Sequence, residues 1–281
     1  MNKKRTFAVL TALIMVAIGV VTFNACKKSS INQNNNVTDN LEQIQKRANF
    51  IGECHNYTLD KLVCYAETQF EKDDTINFDY MRDQIIYYIA DRAAKFCEIE
   101  LDSSIIYSIQ DVVQSSEELR DLYLTNQNHF VNCANLIENA EVLSENEKVL
   151  AKELLEICAI QDYHDFYATL ISFEQQVINS EIQSDNVFGM IALVKYSSIY
   201  WNSYMKSNNI SRSWFGFWEN VGMGDFEGFL AGIVEGAFTC PFNYSIVFGP
   251  GGVVYCVAGS ALSGAIFGSV ISAIKYFDIF S

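Results

Sequence analysis

Residues that break helices are scarce. Only two prolines, Pro241 and Pro250, occur in 281 residues, and Gly189 is the one glycine between Gly52 and Gly216. The alternating apolar pattern of half-buried strands is largely missing, and no repeat of fixed period precedes residue 222. Motifs of known chemistry are lacking as well. There is no tight Cys-x-x-Cys or His-Glu-x-x-His pair to hold zinc, and no Gly-x-Ser-x-Gly nucleophile pattern accompanies the histidines. Gly-Pro-Gly-Gly at 249–252 lacks the lysine and the preceding strand of a phosphate loop. Positive charge is short too: 19 Lys and Arg face 34 Asp and Glu, a formal charge of -15. Such a surface excludes nucleic acid and electrostatic adhesion to anionic lipid, and suits solubility and cationic partners.

What is present begins with an export signal. Lys3, Lys4 and Arg5 lead into an uncharged apolar segment from Phe7 to Val21 and then to Ala25-Cys26. A cysteine after a small residue at this point resembles a bacterial lipoprotein signal, although Phe23 and Asn24 depart from the usual residues before Ala-Cys. The resemblance implies that Cys26 is lipidated and becomes the first mature residue; the alternative is an uncleaved N-terminal anchor. Loss of residues 1–25, which carry three basic residues and no acidic one, moves the charge from -15 to -18. Residues 27–40 are polar and rich in Asn and Ser, too poor in apolar side chains to offset ordering entropy, and read as a tether. Lys27 and Lys28 stand where surface-exported lipoproteins carry an acidic run, which places the expected protein facing the periplasm.

Seven further cysteines form an odd set: Cys54, Cys64, Cys97, Cys133, Cys158, Cys240 and Cys256. Cys54 with Cys64 and Cys240 with Cys256 are the pairs easiest to bridge; equally, most are small buried residues on helices.

Periodicity predicts long helices. From Asp79 to Leu101, Met81, Ile85, Tyr88, Ile89, Ala93 and Phe96 share one face. Capping boxes at Ser115–Glu118 and Ser144–Glu147 open two more, with Leu119, Leu122, Phe130, Cys133 and Leu136 turned to a core, and Ser184 or Asp185 can cap a third. Composition shifts near residue 210. All three tryptophans lie between Trp201 and Trp218, and twelve of the fifteen glycines follow from Gly216 onward.

In that tail Gly224, Gly228, Gly232 and Gly236 recur every four residues on one helical face, where each glycine costs about 1 kcal/mol relative to alanine. Cys256, Ser260, Gly264, Gly268 and Ser272 repeat the pattern. Two side-chain-free faces let helices approach backbone to backbone. No charged residue occurs from Gly236 to Ile274, yet Asp225, Glu227 and Glu235 precede that run and would be expensive in a membrane without partners. Gly252–Ile274 is about 34 Å long as a helix, enough for a bilayer core, with Lys275, Tyr276 and Phe277 at one end and the tryptophans as an interfacial belt. Three readings stay open: a hairpin packed on the bundle, a membrane hairpin, or a self-association surface.

Two resemblances follow from these residues. The tail, with its Gly-Pro-Gly-Gly break, resembles double-glycine-type bacteriocins, though it lacks their leader. The whole chain resembles uncharacterised lipoproteins of the Bacteroidota type through Gly52, His55, Asn56 and Leu59 in "IGECHNYTLDKL", Ser197, Tyr200 and Trp201 in "KYSSIYW", and the tail. No activity comes with that resemblance. His55 and Asn56 are a candidate ligand or structural site, with Thr58 as a helix N-cap and Asp60 as a partner for His55. His129 with Cys133 has zinc-ligand spacing, and His164 between Asp162 and Asp165 fits an exposed face. The expectation is all-α. A lipoprotein signal (1–25) and tether (26–40) lead to an antiparallel helical bundle (41–210) and then an aromatic segment with a glycine-zipper helical hairpin (211–281). The function expected is non-enzymatic binding in the cell envelope, with membrane contact through Cys26 lipid and no cofactor, metal or nucleic acid; the alternative is a membrane-active, toxin-like effector.

Overall fold

The computed structural model describes residues 36–71, 75–96, 128–239 and 252–278, with isolated positions between 98 and 110. The signal, Cys26, most of the tether, the Ser115–Glu118 box, Cys97, Cys240 and the break from Pro241 to Pro250 lie outside the described residues. The chain has two compact units, 1–43 and 44–281. Of the first, only the start of one helix is described. Among the described residues every regular element is helical and there is no strand.

Helix α1 runs Asn36–Glu71, so residues 36–40 of the polar segment are helical. Thr58 lies in its middle, fully buried, and is no N-cap. The run of apolar residues on both sides of the His-Asn pair overrides the local capping signal. Cys54 and Cys64 are both free and sit ten residues apart on this helix, about 15 Å along its axis, which no disulfide spans.

Helix α2, Phe78–Phe96, buries Met81, Ile85, Ile86, Ile89, Ala90 and Ala94. The buried face is rotated from the expected one: Tyr88, Ala93 and Phe96 are half-exposed, while Ile86, Ala90 and Ala94 are buried in their place. The helix stops before Glu98, whose φ of 57° is left-handed.

Local capping then sets a series of helices. Asn128 caps α3, His129–Asn139, by accepting from Val131 N. Ser144 and Glu147 form a complete capping box on α4, Glu145–Cys158. Asp162 caps α5, Tyr163–Ile178, through His164 N and Asp165 N, and His164 is exposed. Ser184 caps α6, Asp185–Ser207. Asp185 is instead paired with Arg47 of α1, 2.7 Å from carboxylate to guanidinium. Short α7, Trp214–Phe217, continues into a wide π-turn, Trp218–Gly222, where the Trp218 indole folds back over Gly222 and leaves no room for a Cβ.

Among the described helices, α8, Met223–Thr239, and α9, Gly252–Asp278, pack on each other more extensively than any other pair. Their contact is backbone on backbone. A Cβ on Gly224 would stand 2.8 Å from the carbonyl oxygen of Gly268 and 2.6 Å from Ser272 Oγ, and one on Gly264 would overlap the Gly228 carbonyl oxygen. Advancing four residues along α8 thus retreats four along α9, an antiparallel register. Gly232 is buried on α8. Gly236 and Ser260 lie on these helices, and what surrounds them falls outside the described residues.

Every residue from Ala261 to Ala273 of α9 is buried. A helix apolar around its whole circumference belongs at the centre of a fold, and here the surroundings are α8, the π-turn and α2. Among the described residues no helix is long and apolar enough to cross a membrane. Nor do the tryptophans form a belt: Trp201 and Trp218 are fully buried and Trp214 nearly so. Trp214 stacks on Trp218 at 5.1 Å between centroids, Phe166 packs on both, and Phe217 meets Tyr276 of α9 edge-on.

Gly264→Ala and Gly224→Ala are each expected to destabilise by about 1–3 kcal/mol, since the obstructing atoms include backbone that cannot swing aside. Exposed Val149→Ala, by contrast, is expected to stay within about 0.5 kcal/mol. Urea unfolding of the three variants measures both.

Candidate functional site

Turning the glycine face of α8 toward α9 turns Asp225 and Glu227 inward as well; both are 1% exposed. Each meets a histidine from another helix. His55 Nε2 of α1 lies 3.2 Å from Asp225 Oδ1, close but off the line of a good hydrogen bond. The other carboxylate oxygen of Asp225 accepts from Ser197 Oγ and, at 3.1 Å, from the Trp201 indole, which also donates to Ser269 Oγ of α9. On the second site His129 Nδ1 of α3 is 2.6 Å from Glu227 Oε2, and Asn132 Nδ2 lies 3.3 and 3.4 Å from the two carboxylate oxygens.

Hydrogen bonding fixes the protonation of His55. Asn56 donates its amide N–H to the Tyr196 carbonyl at 2.9 Å, so its oxygen faces the ring and accepts from Nδ1 at 3.0 Å. With Nδ1 protonated and Nε2 against a carboxylate, the imidazolium is the favoured form. Burial alone would push its pKa down, but the close Asp225 charge and the bond to Asn56 outweigh it, and the net value lies above the ordinary 6.5.

His55 thus pairs with Asp225, not with Asp60, and forms no catalytic relay. Ser197 gives its proton to the carboxylate and not to the imidazole, so no base activates it. His55 and Ser197 are both fully buried, which closes the site to a substrate. His129 is likewise engaged with Glu227 instead of sharing a metal with Cys133. Burial, and then the Glu227 charge, hold the Cys133 thiol well above its usual range. Among the described residues no group of three or more His, Cys, Asp or Glu is placed to hold a metal ion.

Next to the Glu227 pair, α3 and α8 leave a half-open groove of about 280 Å³, lined by Asn132, Asn135, Leu136 and Asn139 on one side and Glu227, Ala231 and Val234 on the other. Sequence reasoning missed this groove and both pairings. The available signal was arithmetic: few histidines, and acids on a tail that had to be buried. Comparison with known proteins finds no matching family, no matching curated protein and no matching solved structure.

The segments behind the lipoprotein resemblance meet here. Gly52 leaves room for the Tyr196 ring, whose Cγ would lie 2.5 Å from a Cβ at position 52, and one turn later His55 and Asn56 reach Asp225 and the Tyr196 carbonyl. Residues scattered over 170 positions form one network.

Removing one partner of this buried pair, as in His55→Ala, is expected to cost about 3–5 kcal/mol by stranding the Asp225 charge. Because the folded pKa of His55 is raised above 6.5, its stabilisation is complete below that pH and is lost as pH rises through the folded value. The stability gap between wild type and His55→Gln should therefore narrow on raising pH from about 6, as urea unfolding at stepped pH would record.

Proposed function

We propose that the chain is a lipid-anchored protein of the bacterial cell envelope, non-enzymatic, facing the periplasm and acting by binding. In this reading lipid on Cys26 and the polar segment after it hold a helical bundle of residues 41–210 to the membrane. The glycine zipper of the tail forms a hairpin that serves close packing inside the fold. The observation that carries the reading is the burial of α9 from Ala261 to Ala273 together with the pairing of Asp225 and Glu227. A device for entering lipid would keep an apolar face available and would not bind its acidic flank to histidines on two other helices. The acidic charge supports a cationic partner over nucleic acid.

The test is alkaline carbonate extraction of membranes from cells exporting a Cys26→Gly variant through a cleavable, non-lipoprotein signal. Release of the lipid-free protein is expected. Retention would overturn the reading in favour of the membrane-active effector. In parallel, Gly228→Leu with Gly232→Leu is expected to abolish folding, and wild-type protein to release no dye from liposomes.

A further inference from the structure

We propose that the clasp of His55 on Asp225 is a pH-sensitive switch: it holds the middle of α1 closed on α6 and α8 while both ring nitrogens carry protons, and releases that segment when Nε2 loses its own. The inference goes beyond the envelope reading and stands without it.

The lock is geometric. Asn56 is turned by its bond to the Tyr196 carbonyl, so its side-chain oxygen takes the Nδ1 proton and Nε2 is left facing Asp225. A neutral ring has one proton for these two positions. Kept on Nδ1, it leaves a lone pair on Nε2 facing a carboxylate oxygen 3.2 Å away; moved to Nε2, it sets Nδ1 against the Asn56 oxygen, acceptor to acceptor. Asp225 Oδ1 has no hydrogen-bond partner, so the imidazolium charge is what compensates it. Neither side chain is more than 1% exposed, and burial makes such a mismatch costly.

The segment that opens is bounded. Arg47 pairs with Asp185 toward one end of α1 and Glu67 accepts from Tyr204 toward the other, and between them stand the His55 and Asn56 contacts. Opening there parts Gly52 from the Tyr196 ring and brings fully buried His55 and Ser197 to solvent. The other groups around the clasp are accounted for. Burial pushes the adjacent Cys54 thiol up to about 12, with the Arg92 charge of α2 opposing and that of Asp91 adding. On α6, burial first, and then Asp60 and Glu67 of α1 and Asp225, raise the Tyr200 phenol. Cys54 and Tyr200 therefore stay protonated near neutrality. Glu227, two residues along α8, is engaged by His129 and Asn132 of α3, and α9 brings no charged residue between Ala261 and Ala273.

Two titrations of the full exported chain test the switch. Imidazole nitrogen NMR shifts give the midpoint of the His55 ring, read separately from His129, and native-state hydrogen exchange gives the opening of α1. The His55 midpoint is expected above 6.5. Because an opened His55 returns to its ordinary value, protection of the amides of residues 52–62 and of the Trp201 indole should fall about tenfold per pH unit from 6.5 to that midpoint, and then level off. Above the midpoint these sites should be at least about tenfold less protected than the amides of Ala151 and Leu154 on α4, with a weaker dependence on urea. Asn56→Ala removes the acceptor for the Nδ1 proton and should lower the ring midpoint and shrink the rise in opening by the same factor. His55→Gln, if it folds, should leave protection of α1 independent of pH; if it does not fold, wild type and Asn56→Ala decide. A His55 midpoint at or below 6.5, protection of α1 that is flat through that midpoint, or opening that tracks the His129 ring would overturn the proposal. Equal protection and equal urea dependence in α1 and α4 would overturn it too, since the chain would then be unfolding as a whole.

Discussion

Two carboxylates sit inside this protein on the helix that makes its closest contact, and their need for partners organises the helices around them. An isolated buried carboxylate is costly enough that it must be paired and hydrogen-bonded or give up its charge. Asp225 draws donors from α1 and α6 through His55, Ser197 and Trp201, and Glu227 draws them from α3 through His129 and Asn132. Trp201 extends the first network to Ser269 on α9. A hydrophobic core is tolerant of sliding, whereas these bonds are directional, so they fix which helix stands where and at what height.

The acids are placed by the glycines. The Gly228 carbonyl occupies the space a side chain at 264 would need, and the Gly268 carbonyl does the same for position 224, so the side-chain-free faces must point at each other. Once that face of α8 is committed, positions 225 and 227 turn toward α6 and α3. Glycine costs helix propensity, and the close contact offsets it with dispersion along both backbones. The same logic recurs at Gly52, where lack of a side chain admits the Tyr196 ring and brings His55 within reach of Asp225. Among the described residues glycine works at contacts, while the left-handed positions fall to Glu98 and Asn209.

What was legible in the sequence was local. The capping box of Ser144 and Glu147, the Ser184 cap and the two small faces depend on residues within a few positions of each other, and the helices follow from them. The helical class was legible for the same reason. The face of α2 was misjudged because an apolar stripe three or four residues wide leaves its exact orientation to whichever neighbour packs against it. Thr58 was read as a cap because polar residues cluster there, while the helix runs through it on the strength of tertiary burial. The pairings were out of reach for a different reason. His55 and Asp225 are 170 positions apart, His129 and Glu227 are 98 apart, and no local pattern records which distant helix will supply a donor.

The pairings also bear on whether the tail could leave the fold for a bilayer. Opening α8 from its neighbours would part both buried histidine–carboxylate pairs and separate α8 from α9, whose backbone its own backbone touches. The freed helix would still carry Asp225 and Glu227, and a charged side chain at the centre of a bilayer costs at least about 2.5 kcal/mol on the most lenient scale. The glycine faces are thus tied to the interior by the very acids that distinguish this tail from an uncharged membrane helix.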